Sequence, residues 1–219
     1  LDAPGIRSLF YKRLVCEKAS GGGEMKIIIS YPPLDATKGC PTLGQNRQFQ
    51  YFKDPTFIYP VVPAQAATLL KNSGFKVIWN DCIALGWTHE QFLDFVKKEK
   101  PDLIVFETKT PVIKQHWQII NAIKKLMPLD SRPLTLLFGD HVTALPEESF
   151  QNSEVDYVLT GGDYDFLLLS LCRFLSSRRN SGNTQYAIRN TNNVSPAASL
   201  EPGIYYRDNG SVKNTGKFQ

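Results

Sequence analysis

The stretch DLIVFETKTP, residues 102–111, combines the features that decide the fold of this chain. Its apolar half predicts a strand that is buried on both faces, as the strands of parallel sheets are. A threonine-rich turn follows at once, and Pro111 suits the first turn of a helix. The stretch is therefore typical of one β-α unit in an open α/β sheet.

The same unit recurs along the chain. Apolar runs predict strands at 26–30, 75–79, 102–107, 134–138 and 155–159. Helices are predicted at about 60–73, 88–99, 111–126, 145–150 and 163–177, and Thr88 with Gln91 has the spacing of a capping box. Five units predict a doubly wound, Rossmann-like (flavodoxin-like) α/β fold. It has a five-stranded parallel sheet in the order 2-1-3-4-5, with helices on both faces.

Changes in composition divide the chain into three parts. Residues 1–24 are predicted to be a leader or linker, since they end in a glycine-rich run. Residues 25–178 hold the α/β domain. Residues 179–219 begin as a linker rich in Ser and Asn and end in a hairpin extension at 203–215, with a turn at Asp208-Asn209-Gly210. We expect this last part to lead into a further domain downstream.

Bulk properties exclude several classes of protein. The net charge is only +4, and the basic pairs lie on separate predicted helices, so no nucleic-acid partner is expected. No apolar run reaches the roughly 18 residues of a membrane span. The four cysteines form no CxxC cluster, which favours free thiols in a reducing compartment. We therefore expect a cytoplasmic protein without a transmembrane segment.

Small and hydroxylated residues follow three of the predicted strands. These turns are Thr108-Lys109-Thr110, residues 139–143 (GDHVT) and residues 161–164 (GGDY). The carboxyl ends of parallel strands meet at one edge of a sheet, so the turns predict one broad ligand lying across that edge. Two alternatives stay open, namely that the threonines only cap the next helix and that the glycines only form a tight turn.

Motifs for other ligands are missing. The turns after the first and fifth strands lack GxGxxG, and no GxxxxGK[ST] occurs, which argues against ordinary dinucleotide and P-loop sites. His89 and His116 fall on predicted helices without the spacing of zinc ligands, so no metal-ligating residue is predicted. Loop 31–58 is long and rich in aromatic residues, which indicates that it packs on something flat and apolar. The alternative is that it packs on its own sheet.

Several motifs, taken together in their order along the chain, resemble the N-terminal cobalamin-binding domain of B12-dependent radical SAM enzymes. The resemblance covers Met25 to about Phe218. It rests on Pro32-Pro33 after the first strand, Tyr59-Pro60 and GFKV (74–77), ETKTP (107–111), GDHVTALPEE (139–148), Gly161-Gly162 and the hairpin from residue 203 to 210. The GDHVTALPEE run is the most specific of these.

The resemblance implies a cobalamin on the carboxyl edge of the sheet, with its dimethylbenzimidazole tail in a slot beside the sheet. The residues implied in binding are Pro32, Thr108, Lys109, Thr110, Gly139, His141, Val142, Thr143, Gly161, Gly162, Asp163 and Tyr164. The mutase-type DxHxxG motif is absent, so we expect a base-off cofactor without a protein histidine on its cobalt.

The CxxxCxxC motif of radical SAM enzymes is also absent. In the parent enzyme, the resemblance places it downstream, in a radical SAM domain with a [4Fe-4S] cluster and S-adenosylmethionine. The implied reaction is methyl transfer from methylcobalamin to an unactivated carbon, and this chain alone would bind cofactor without radical chemistry. The alternative is a flavodoxin-like nucleotide-binding, flavin-binding or signalling module without catalysis.

Overall fold

The computed structural model describes residues 25–43, 49–54, 56, 58–180, 200–208 and 210–218. The leader predicted at 1–24 and most of the linker predicted after residue 178 lie outside the described residues. The strands are β1 (Lys26–Tyr31), β2 (Cys40–Leu43), β3 (Phe49–Phe52), β4 (Lys76–Asp81), β5 (Leu103–Glu107), β6 (Leu134–Phe138), β7 (Tyr157–Leu159), β8 (Ile204–Asp208) and β9 (Ser211–Asn214). The helices are α1 (Val61–Asn72), α2 (Cys82–Leu85), α3 (His89–Glu99), α4 (Ile113–Leu126), α5 (Asp140–Ala144), α6 (Glu148–Asn152) and α7 (Tyr164–Asn180).

The main sheet has the order β4-β1-β5-β6-β7-β8-β9. Its first five strands are parallel, which confirms the predicted order 2-1-3-4-5. The strand count needs a correction, because the C-terminal hairpin adds β8 and β9 as antiparallel strands of the same sheet. The physical reason is the edge of β7, whose unpaired backbone groups are satisfied by β8.

Helices cover both faces of the sheet, as predicted. Along β5, Leu103 and Val105 pack in the cluster beneath α1 and α7. Ile104 and Phe106 point the other way and pack with α3 and α4. This alternation makes β5 apolar throughout, because each of its faces is buried under a helical layer.

The observed start of one helix agrees with the start predicted from the sequence, and that of another differs from it. Thr88 caps α3 in a complete capping box with Gln91, as predicted. Helix α4 begins at Ile113, and its N-cap, Val112, makes no side-chain capping bond. Thr110 therefore does not cap α4, which removes one of the two interpretations of this turn. The short helix predicted at 145–150 corresponds to α6, which begins three residues later at Glu148. Helix α5, which directly follows β6, was not predicted.

The long loop after β1 contains a small antiparallel hairpin, β2–β3, that the sequence analysis did not predict. Leu43 of β2 packs in a cluster with Tyr31, Leu34 and Val112. The described part of this loop thus packs on the protein itself, above the end of β1. Within the described ranges, no helix is both long enough and apolar enough to cross a membrane.

Candidate functional site

The turns after β5 and β6 meet backbone to backbone at the carboxyl edge of the sheet. The Thr108 N–H donates to the Phe138 carbonyl oxygen at 2.8 Å. Gly139 has φ +126°, and a β-carbon built on it would lie 2.2 Å from the Thr108 carbonyl oxygen. Only glycine allows this approach, so the two turns form one continuous surface.

Thr143 joins the turns after β6 and β7. Its hydroxyl donates to the Gly139 carbonyl oxygen at 2.9 Å and accepts from the Gly161 N–H at 3.2 Å. The Tyr164 hydroxyl lies 3.1 Å away and must be the donor, because the one proton of Thr143 is already used. The Thr143 oxygen thus makes three hydrogen bonds within the protein.

His141 connects two further side chains at this edge. Its Nε2 lies 2.9 Å from Glu148 Oε2, and its Nδ1 lies 3.2 Å from Thr110 Oγ1. The imidazole is only 7% exposed, and the Trp117 ring packs against it edge to face. Both ring nitrogens therefore have partners inside the protein.

A buried polar network lies at the switch point between β1 and β5, and the sequence analysis missed it. The Tyr31 hydroxyl donates to Glu107 at 2.5 Å. Lys109 Nζ lies 3.4 Å from Glu107 and 3.7 Å from Asp140. Burial raises the pKa of Glu107, although the Tyr31 hydrogen bond and the Lys109 charge oppose the rise. Burial, with the neighbouring Glu107 charge, also raises the pKa of the Tyr31 phenol.

Thr108 lies beneath the surface rather than on it. It is fully buried, and its Oγ1 lies 2.9 Å from Nδ1 of His116 on α4. His116 is also fully buried, and burial lowers its pKa to about 3, so the imidazole is neutral at physiological pH. Its Nε2 is buried without a hydrogen-bond partner among the described residues. Thr108 and His116 thus form a support for the edge.

The predicted binding residues fall into two layers. The residues that reach the surface are Thr110, Thr143, Gly162 and Asp163, together with the partly exposed Gly161 and Tyr164. We call these six the rim. The buried layer below it holds Pro32, Thr108, Lys109, Gly139, His141 and Val142. Except for Gly161, which the Phe218 ring covers, the rim residues can contact a ligand directly, whereas the buried layer sets the shape of the surface.

A large groove opens beside the rim, between α1 and α7. Its volume is about 1580 Å³, and its lining includes Gly162, Tyr59, Phe166 and Phe218. A β-carbon on Gly162 would meet no atom within 4 Å, so this glycine faces open space. A β-carbon on Gly161 would instead lie 2.4 Å from the Phe218 ring, which covers that position. Of the two adjacent glycines, Gly162 is therefore open to the groove, whereas Gly161 is covered by Phe218.

Metal-binding groups are scattered in the described part of the chain. No three His, Cys, Asp or Glu side chains there lie close enough together to hold a metal ion.

No family model matches the sequence, and no curated protein matches it. Solved structures do match the fold. One is the cobalamin-dependent S-adenosylmethionine radical enzyme OxsB with aqua-cobalamin bound, at 14% identity and a TM-score of 0.63. The match covers 96% of this chain and 24% of that one.

A second match is the radical S-adenosylmethionine methyltransferase TsrM from Kitasatospora setae. The identity is 14% and the TM-score 0.58, over 88% of this chain and 30% of TsrM. The chain thus spans about a quarter to a third of the length of these enzymes. At this identity the likeness establishes the fold, and it confirms the fold that the sequence resemblance implied.

Proposed function

We propose that this chain binds cobalamin across the carboxyl edge of its sheet, as the B12 domain of a radical SAM enzyme. The observation that carries the proposal is the open surface at Gly162, which continues into the groove between α1 and α7. A corrinoid has a broad ring and a long nucleotide tail. It therefore needs a flat rim and an adjoining slot, and this edge offers both.

The residues present fit that group. Thr110, Thr143, Gly162, Asp163 and Tyr164 would meet the ring at the rim. The buried layer, with Gly161, would hold the turns in place from below, and the groove would take the tail. The likeness to OxsB, whose structure holds aqua-cobalamin, supports the same ligand class.

We further propose that the cofactor binds base-off and without a protein histidine on its cobalt. His141 uses both ring nitrogens within the protein, and His116 is buried beneath Thr108. A tail that enters the groove is drawn away from the ring. The chain would bind methylcobalamin or hydroxocobalamin in this form.

In the intact enzyme, a downstream radical SAM domain would carry the [4Fe-4S] cluster and S-adenosylmethionine. The likeness to TsrM, a radical S-adenosylmethionine methyltransferase, supports this class of parent enzyme. Cobalamin would supply a methyl group for transfer to an unactivated carbon. The residues of this chain would bind and orient the ring and keep water from the buried layer. A cytoplasmic location is consistent with the free thiols Cys40, Cys82 and Cys172.

Gel filtration after incubation with hydroxocobalamin tests the proposal. The protein peak should carry the visible absorption of the corrin, whereas the same treatment with FMN or ATP should leave the peak colourless or nucleotide-free. Retention of FMN or ATP with loss of cobalamin would overturn the proposal in favour of a nucleotide-binding module. After reduction to cob(II)alamin, the electron paramagnetic resonance spectrum should lack nitrogen splitting from an axial ligand.

A further inference from the structure

Three side chains at the carboxyl edge form a chain of hydrogen bonds that ends at the surface. Glu148 on α6 contacts Nε2 of His141, and Nδ1 of His141 contacts Thr110 Oγ1. Thr110 is exposed, His141 is buried, and the Glu148 side chain is 39% exposed. The buried imidazole is therefore bonded on one side to a carboxylate and on the other to the hydroxyl of an exposed residue.

The carboxylate fixes the direction of these bonds. An ionised carboxylate only accepts, so Nε2 must carry the proton that it donates to Glu148. In the neutral imidazole, Nδ1 then has a lone pair and accepts the proton of Thr110. The opposite tautomer would set the bare Nε2 against the carboxylate at 2.9 Å, which is repulsive.

This direction decides what Thr110 can offer to a ligand. The hydroxyl has one proton, and that proton points inward to His141. The outward side of the oxygen carries lone pairs, so Thr110 can only accept from a ligand. We propose that Glu148 and His141 are positioning residues that make Thr110 an acceptor for a carboxamide N–H of the bound ligand.

The inference rests on the proposed function and gives it a specific contact. Cobalamin carries primary carboxamides around its ring, and each has N–H groups to donate. A carboxylate at the same place on the ring has no proton to donate and would face the lone pairs of Thr110. The hydrogen-bonded chain Glu148–His141–Thr110, which we call the relay, thus selects for an intact amide at one position of the corrin.

The first test measures the tautomer of His141 without any ligand. The chain has three histidines, so long-range ¹H–¹⁵N spectra can be assigned with a His141→Asn variant. The wild-type protein should show His141 with the proton on Nε2. In Glu148→Gln, the signals should shift toward the Nδ1-protonated form. A wild-type imidazole protonated on Nδ1, or on both nitrogens, would overturn the relay.

The second test compares hydroxocobalamin with its monocarboxylate isomers, made by partial hydrolysis of the peripheral amides. The wild-type protein should bind one isomer about three- to tenfold more weakly than hydroxocobalamin, the effect of one hydrogen bond. Thr110→Val should lose this preference and bind hydroxocobalamin more weakly by a similar factor. Thr110→Ser keeps the hydroxyl and should restore both properties, while Glu148→Gln should reduce the preference.

The outcomes separate the two proposals. If wild-type protein binds hydroxocobalamin and Thr110→Val shows the same isomer preferences, the Thr110 contact is wrong and the proposed function stands. If wild-type protein binds no cobalamin, the proposed function fails and the ligand assigned to Thr110 fails with it. Circular dichroism checks that each variant is folded. Because Thr110 is exposed, its substitution should leave the fold intact.

Discussion

A β-carbon on Gly139 would lie 2.2 Å from the carbonyl oxygen of Thr108. The turns after β5 and β6 are therefore in contact through their backbones, with no side chain between them. The Thr108 N–H bond to Phe138 holds the same two turns in register. This contact gives Gly139 a structural role in the edge, below the rim that we propose meets the cofactor.

We predict that Gly139→Ala destabilises the fold by at least about 2 kcal/mol. The residue would be strained at φ +126° and would force the two turns apart. Gly162→Ala is the matched control, since its β-carbon would enter open space. That control should change stability by no more than about 0.5 kcal/mol. Urea unfolding measures both, and equal midpoints for the two variants would contradict the role of Gly139.

Gly162→Val should weaken cobalamin binding about tenfold or more without unfolding the protein. The branched side chain would project into the opening of the groove, where the glycine now leaves room. Spectrophotometric titration with hydroxocobalamin gives the affinity, and the thermal midpoint gives the stability. Unchanged affinity would remove Gly162 from the binding site.

Thr143→Val should cost about 1–2 kcal/mol, because it removes the hydroxyl that joins Gly139, Gly161 and Tyr164. Thr143→Ser keeps that hydroxyl and should remain close to wild type. Hydrogen exchange at the Gly161 amide should quicken in the valine variant alone. If the serine variant exchanges equally fast, the hydroxyl is not what holds the two turns together.

The buried His116 should make stability fall in acid. Burial lowers the pKa of His116 to about 3 in the folded protein, from the usual histidine pKa of 6.5. As the pH falls from 6.5 toward 3, His116 becomes protonated in the unfolded chain but stays neutral in the folded protein. The free energy of unfolding therefore decreases in that pH range. His116→Leu should lose stability less steeply there, by up to about 1.4 kcal/mol per pH unit.

Urea unfolding of both proteins at several pH values between 3 and 7 measures these slopes. Carboxylates titrate in both proteins, so the difference between the slopes isolates His116. The overall stability of His116→Leu does not affect this comparison, because only the slope carries the prediction. Parallel curves would show that His116 is already accessible to protons in the folded state.

The five parallel strands and the capping box of α3 could be predicted because their signals are local. Apolar runs of five or six residues and the pair Thr88 and Gln91 are visible in the sequence itself. The β2–β3 hairpin could not be predicted, because neither CPTL nor FQYF is a continuous apolar run and Pro41 lies inside the first strand. Leu43 of this hairpin is buried by distant partners such as Val112.

The sequence predicted which turns lie together at the carboxyl edge, but not which of their residues are buried. Thr108 is buried by His116 of α4, a contact that its own turn does not reveal. Tyr31 and Glu107 are 76 residues apart, and they meet only because β1 lies next to β5. One signal could have suggested this pair, since each polar side chain ends a strand adjacent to the switch point.

Equilibrium dialysis of the purified chain against hydroxocobalamin tests the central claim most directly. We predict saturable binding that reaches one cobalamin per chain, with the visible spectrum of the bound corrin changed by loss of its base. If the protein is folded and the cobalamin concentration on its side of the membrane never exceeds that in the buffer, the claim is contradicted.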